Sequence, residues 1–209
     1  LIESGFQIRP LTEEDIPGVV ELQRLAFPPP FPEELHWQAH HLTAHLRVFP
    51  EGQFVAEMNK RIVGSCSNVL ISEECWLQHG SWLDTVGGPS LEGHDPGGTT
   101  LYGIDITVSP NSRRLGIGRA FYHKRFEMVR VYKLRRFGTA CRIPDYVSHT
   151  TQKHNMSKQD YVRQVSLGQL NDRILTALLK YDLKFIDVVE DYMEDVESGN
   201  AAALLEWKP

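Results

Sequence analysis

The sequence predicts a single mixed α/β domain, and three observations carry that expectation. Its 209 residues suit one compact domain. Its apolar spacing switches repeatedly between the two-residue period of strands and the 3.6-residue period of helices. The run "LYGIDITV" at 101–108 is almost continuously apolar, as a strand covered on both faces should be.

The elements follow in order. "FQIRPLTEEDIPGVVELQRLAF" (6–27) reads as strand, turn and helix. Phe6 and Ile8 alternate with polar residues, and Thr12 and Asp15 stand at capping distance. Val19, Val20, Leu22, Leu25 and Ala26 form a helical stripe. "FPPPFP" (27–32) breaks the chain before a second helix in 33–49, marked by Leu35, Leu42 and Leu46. "QFVAEMNKRIVGSCSNVLI" (53–71) reads as a hairpin turning at Asn59-Lys60. Residues 81–100, rich in Gly and Pro, predict a long loop of the kind that carries function. After the strand at 101–108, the spacing predicts a helix over 115–134 and a fifth strand in "RRFGTAC" (135–141). Residues 142–156 read as polar and irregular. A short helix capped by Ser157 and Asp160 follows, then one over 171–181 capped by Asn171 or Asp172. Two strands, 184–192 and 201–207, close the chain.

Composition narrows the function. No apolar run approaches the ~20 residues that span a bilayer, and no signal pattern opens the chain. No membrane association is therefore expected. The chain begins at Leu1 rather than Met, which leaves its natural start open. Cys66, Cys75 and Cys141 are odd in number, far apart and without a C-x-x-C pair, so a reducing cytoplasm is the expected compartment. A formal net charge of −5 argues against nucleic acid as a partner and suits a cationic small substrate.

The segment "VSPNSRRLGIGRAFY" (108–122) joins the apolar strand to the long helix. Glycine lets a backbone approach a ligand closely. The first amides of a helix lack internal acceptors and sit at the positive end of its dipole. Together with Arg113, Arg114 and Arg119 they suit an anion site, the alternative being a tight turn with surface arginines. A Walker loop would need Gly-Lys-Ser/Thr, but Gly118 is followed by Arg119-Ala120. The dinucleotide fingerprint would need glycine at position 121, which is Phe121.

The pattern Arg113-x-x-Gly116-x-Gly118-x-Ala120, after Val108-x-Pro110, resembles the acyl-CoA pyrophosphate loop of the GNAT superfamily of N-acetyltransferases. The order of elements is also similar to that fold. The resemblance implies a mixed, mostly antiparallel central sheet flanked by helices, with a helical insertion at about 142–168 before the last helix. It implies acetyl-CoA as co-substrate, with its pyrophosphate on the backbone of Arg114, Leu115, Gly116, Ile117, Gly118, Arg119 and Ala120. Ile106, Thr107 and Val108 would line the thioester, and Asn171 matches a cofactor-side Asn of the late helix. No metal is expected. "HDPGGTTLYGIDITVSP", "RIPDY", "MSKQDYV" and "DYMEDVESGNAAALLEW" resemble a subgroup sometimes fused to a carbon–nitrogen hydrolase domain. Ending at "LLEWKP", this chain is expected to carry no such domain. Two positions depart from the superfamily pattern. Leu178 stands where a Tyr protonates the departing thiolate, and Asp182-Leu183 replaces the usual Gly-Phe.

Aminolysis of a thioester needs a neutral amine, hence a base, and donors for the thioester oxygen, for which strand amides near Val108 are candidates. Asp105 is the candidate base: it interrupts the apolar strand and shares a face with Thr107. Its alternative is a structural acid capping a loop or pairing with an arginine. His94 is a candidate proton shuttle or a turn residue, and Tyr181 and Tyr192 are candidate acids or half-buried aromatics. His36/His40 and His41/His45 are two i,i+4 pairs of chelating spacing, but they point in different directions and lack H-E-x-x-H, so a wet helix face is expected there. Trp37 reads as a packing residue. The acidic run Asp187, Glu190, Asp191, Glu194, Asp195 and Glu197 reads as a solvated surface or, from its place near the acceptor side of the resembling fold, as a feature suited to a cationic amine acceptor. The sequence thus points to an enzyme moving an acetyl group to an amine, with a non-catalytic acyl-CoA-binding sensor as the alternative and a homodimer as a possible assembly.

Overall fold

The computed structural model describes residues 5–29, 33–152 and 156–209. The expected breaker at 27–32 and the segment 142–156 therefore lie partly outside the described residues, at 30–32 and 153–155. Seven strands form one sheet: β1 (Gln7–Pro10), β2 (Phe54–Met58), β3 (Arg61–Ile71), β4 (Thr100–Val108), β5 (Arg136–Arg142), β6 (Lys184–Val189) and β7 (Ala202–Trp207). Their spatial order is β1-β2-β3-β4-β5-β7-β6. β4 pairs β5 in parallel, whereas the β1–β2, β2–β3, β5–β7 and β6–β7 ladders are antiparallel. The expected mixed, mostly antiparallel sheet is the one observed.

The helices are α1 (Ile16–Ala26), α2 (Ala39–Val48), α3 (Glu73–Gln78), α4 (Trp82–Val86), α5 (Ile117–Val131), α6 (Tyr146–Gln152), α7 (Lys158–Ser166) and α8 (Leu175–Leu179). Three of them stand where no helix was expected, and α2 and α8 are shorter than the expected 33–49 and 171–181. α3 is begun by Ser72, whose hydroxyl accepts from Cys75 N (3.0 Å). α4 lies within the stretch read as loop and is held by Ser81 and Asp84, which bond reciprocally at 3.1 Å. α6 lies within the segment read as irregular. Helices this short rest on caps and tertiary contacts and leave no periodic stripe to read. α5 is shorter than the 115–134 expected. It starts after Gly116, whose φ of +90° is not helical, and Lys133 beyond its end has φ +54°. Among the described residues no helix is long and apolar enough to cross a membrane.

The chain divides into two compact units. The first comprises Leu1–Val69, Val86–His94 and Ile104–Glu127. Its core joins Leu11, Ile16, Val19, Leu42 and Val55, with Val20, Trp37, Leu46 and Ile62 packed against them. The α1 stripe is narrower than read, because Leu25 is exposed. The β2–β3 hairpin turns at Asn59 and Lys60, both at positive φ (52° and 61°), as a two-residue type I′ turn requires. The register then slips: Ala56 faces Gly64 but Glu57 faces Ile62, so Val63 is an extra residue in β3. The Val63 carbonyl accepts from Ser109 N (2.9 Å), pinning the end of β4.

α2 brings a buried histidine into this unit. His45 Nε2–H donates to the Pro89 carbonyl (2.8 Å), and its ring meets Trp37 edge-on with centroids 4.9 Å apart. Burial holds the imidazole neutral, its pKa depressed from 6.5 to about 4.

The second unit comprises Leu70–Thr85, Asp95–Gly103 and Met128–Pro209. Arg136 grips Glu73 through two bonds (2.6 and 2.9 Å) and lies 5.2 Å over the Trp76 ring. That ring covers Gly138: a Cβ there would stand 2.2 Å from Trp76 Cζ3. Asp172 organises the helical insertion, accepting from Ile174 N and Leu175 N with one oxygen and from Asp145 N and Tyr161 Oη with the other.

Gly138→Ala must displace the buried Trp76 ring and is expected to cost about 1–3 kcal/mol in chemical denaturation. A second expectation concerns pH. With the folded-state pKa of His45 depressed, the unfolded chain takes up the proton first as pH falls. Stability from the neutral ring is complete above pH 6.5 and is lost between 6.5 and about 4. The stability difference between pH 7 and pH 4.5, measured by urea titration, should therefore be about 2–3 kcal/mol smaller in His45→Leu than in wild type.

Candidate active site

The glycine loop follows from its backbone. A 3-10 turn at Pro110–Ser112 ends β4, after which Arg114 (φ +65°) and Gly116 (φ +90°) both take the left-handed region. Such a conformation is unfavourable for arginine and marks a loop whose shape is imposed by its surroundings. The first bond of α5 runs from Ala120 N to Gly116 O (2.9 Å), so the amides of Ile117, Gly118 and Arg119 precede it and have no intrahelical acceptor. The Ile117 side chain is buried, leaving only its amide to face a ligand. Around these amides the surface is open: a Cβ on Gly118 would meet nothing within 4 Å. Arg113, Arg114, Leu115 and Arg119 are exposed. Arg119 Nε contacts His123 Nε2 (3.4 Å), and Arg113 and Arg114 form no ion pair among the described residues. Donors, positive charge and room for close backbone approach are what a pyrophosphate needs.

Four residues behind this loop, β4 carries Asp105. Its Oδ2 accepts from Thr107 Oγ1 (2.9 Å), Trp37 Nε1 (3.3 Å) and Gln23 Nε2 (3.4 Å). Gln23 also donates to Thr107 Oγ1 (2.8 Å). The shared strand face expected for Asp105 and Thr107 is thus realised as a hydrogen bond. Oδ1 receives no hydrogen bond among the described residues. Behind the strand Arg125 of α5 is buried, bonding Asn68 Oδ1 (2.6 Å) and the carbonyls of Ser67 (3.2 Å) and Asp105 (3.0 Å). Burial raises the Asp105 pKa above the usual carboxylate range, against the opposing pull of Thr107, Trp37, Arg125 and Gln23. A carboxylate in this state is a stronger base than one in water.

Sequence reasoning missed Gln23, Trp37 and Arg125. Trp37, His41 and His45 do recur at a spacing of four residues, and Gln23 interrupts the buried side of α1. Neither pattern by itself names Asp105 as the partner. The histidines do not gather into a metal site: no cluster of three or more His, Cys, Asp or Glu side chains of metal-binding geometry occurs among the described residues. His36 Nε2 lies 3.0 Å from the Phe27 carbonyl, and His41 Nδ1 accepts from Gln38 N (3.2 Å). His94 stacks on Phe49 at 4.8 Å.

In the second unit, the Tyr192 hydroxyl is buried and bonded to that of Tyr102 (2.9 Å). Burial raises the pKa of both phenols. Tyr181 and Leu178 are half-buried at α8, and Asn171 is exposed beside Asp172, which takes the capping role. Four members of the acidic run are engaged internally: Asp187 with His79, Glu190 with Lys158, Asp195 with Arg142, and Glu197 with Arg142 and Arg173. Most of the charge read as an acceptor-attracting patch therefore holds the second unit together.

Comparison with known proteins identifies the family. A family model described as the acetyltransferase (GNAT) family matches residues 16–149. An uncharacterized N-acetyltransferase, YkwB of Bacillus subtilis (strain 168), is 39% identical over 204 residues, covering 98% of this chain and 89% of that protein. YhcX of the same strain, named a probable hydrolase, is 34% identical over 206 residues, covering 98% of this chain and 39% of that protein. Most of YhcX lies outside the match, consistent with the subgroup in which an acetyltransferase domain is joined to a hydrolase domain. Among solved structures, the GphF GNAT-like decarboxylase in complex with isobutyryl-CoA shares the fold with a TM-score of 0.79 at 19% identity, covering 97% of this chain and 98% of that one. With its family model, its relatives and its fold in agreement, the chain belongs to the GNAT family of N-acetyltransferases.

Proposed function

We propose that this chain transfers an acetyl group from acetyl-CoA directly to an amine, with Asp105 as general base. The observation that carries the proposal is the asymmetry of that carboxylate: three donors engage Oδ2, while Oδ1 is left to accept a proton. The pyrophosphate of acetyl-CoA is bound by the amides of Ile117, Gly118 and Arg119 and by the charges of Arg113 and Arg114. Ile106, Thr107 and Val108 border the thioester, whose oxygen is polarised by strand amides near Val108.

The chemistry then balances as follows. An ammonium substrate gives one proton to Asp105 Oδ1, and the neutral amine attacks the thioester carbon. The C–N bond forms, the C–S bond breaks, and one of the two protons on nitrogen passes to the sulfur while the other stays on the amide. The raised pKa of Asp105 brings its basicity closer to that of the amine it must deprotonate. The acceptor is a primary amine, small-molecule or peptide. A cationic acceptor draws less support from the acidic run than its sequence suggests, since Asp191 and Glu194 are its only members whose side chains have no hydrogen-bond or ion-pair partner among the described residues.

A second reading, a non-catalytic acyl-CoA-binding module, is favoured by two observations. Leu178 stands where the family places a proton-donating Tyr, and the Tyr192 hydroxyl is engaged by Tyr102. Incubation with acetyl-CoA and a broad amine library, followed by mass detection of acetylated products, separates the two: binding without any product would favour the module.

Asp105→Asn should lower kcat/KM by about 10²–10⁴-fold on the best acceptor, with the calorimetric Kd for acetyl-CoA unchanged. Gly118→Leu meets open space and gains helix propensity, so thermal unfolding should show equal or higher stability, by up to ~1 kcal/mol. Its side chain would fill the pyrophosphate approach, and the Kd for acetyl-CoA should rise about tenfold or more.

A further inference from the structure

Resting on the reading of Asp105 as the base, we propose that Gln23 and Trp37, with His45 behind Trp37, are positioning residues that lock Asp105 Oδ2 and so present Oδ1 to the acceptor amine.

Two routes converge on the same oxygen. From α1, Gln23 Nε2 reaches Asp105 Oδ2 at 3.4 Å and also fixes Thr107 Oγ1 at 2.8 Å, whose own hydrogen then points to Oδ2. Thr107 accepts from one neighbour and donates to the other, so its hydroxyl has a single satisfied orientation. From the start of α2, Trp37 Nε1 reaches Oδ2 at 3.3 Å. The indole is itself held edge-on by the His45 ring at 4.9 Å and the His41 ring at 6.1 Å. His45 is tied at 2.8 Å to the carbonyl of Pro89, within the Gly/Pro-rich segment. A continuous line of contacts therefore runs from that segment through two rings to the base. Gln23 is buried in α1, where a polar side chain is costly unless it is bonded, and its bonds all go to Asp105 and Thr107.

The titratable and charged groups around Asp105 are few. Arg125 of α5 contacts its backbone carbonyl at 3.0 Å. Cys66 of β3 is buried, its thiol pushed up by desolvation and so neutral. His45 and His41 of α2 lie behind Trp37, both with depressed pKa values. Donors to a carboxylate stabilise its charged form, so removing one raises its pKa.

The test is a carbon-13 NMR titration of the Asp105 carboxyl in protein labelled at aspartate, with the resonance assigned by its absence in Asp105→Asn. Trp37→Phe keeps the ring and deletes the donor. It should raise the pKa by about half a unit to one unit, with the acetyl-CoA Kd and the thermal midpoint unchanged and kcat reduced about five- to fiftyfold. Gln23→Leu should act in the same direction, and it carries the test alone if Trp37→Phe does not fold. An unmoved Asp105 titration in the folded variants would overturn the proposal. The underlying reading fails separately, if Asp105→Asn itself retains the wild-type rate on an accepted amine.

Discussion

A carboxylate in the middle of an apolar strand is the constraint on which the first unit depends. Asp105 is half-buried there, and withdrawing a charge from water without partners is costly. The donors come from three elements: Gln23 from α1, Trp37 from the entry to α2, and Thr107 two residues along β4. Arg125 braces the same stretch from behind through its carbonyl and ties it to Asn68 on β3. Apolar packing of α1 and α2 makes a compact unit, and the need to satisfy one carboxylate accounts for the polar Gln23 that α1 buries.

The glycine loop answers a different need. It turns the chain from β4 into α5 within a few residues, using left-handed backbone at Arg114 and Gly116, and it leaves the first α5 amides uncovered. The bulge at Val63 contributes from the neighbouring strand by offering its carbonyl to Ser109. The loop's anchorage is thus distributed between β3 and β4, while its exposed side is kept free of side-chain bulk at Gly118. The second unit is held by other means: the bidentate Arg136–Glu73 pair on Trp76, the Arg142–Asp195–Glu197–Arg173 network, and the caps of Asp172. Pairing at such sites explains how a run of six acidic residues can be largely structural.

Much of the fold was legible because strand and helix periods are local properties. All seven strands, the Asn59-Lys60 turn, and the Thr12/Asp15 and Ser157/Asp160 caps could be read from neighbouring residues. The short helices α3, α4 and α6 could not, since each is too short to show a stripe and rests on local bonds and its tertiary surroundings. For the site, the loop and Asp105 stood out because each breaks a local rule: glycines at a helix start, and an acid inside an apolar strand.

By itself the sequence determined the order of the strands and the longer helices, the position of the glycine loop and the strand that bears the candidate base, all of which follow from contiguous spacing. Only the tertiary structure decided who surrounds that base. Gln23 and Trp37 lie 82 and 68 residues from Asp105 in the chain, and no local pattern links them. Hydrogen-bond satisfaction is enforced between residues brought together by folding. It therefore chooses partners that periodicity cannot reveal, and it commits acids such as Asp195 and Glu197 to arginines that the sequence places far away.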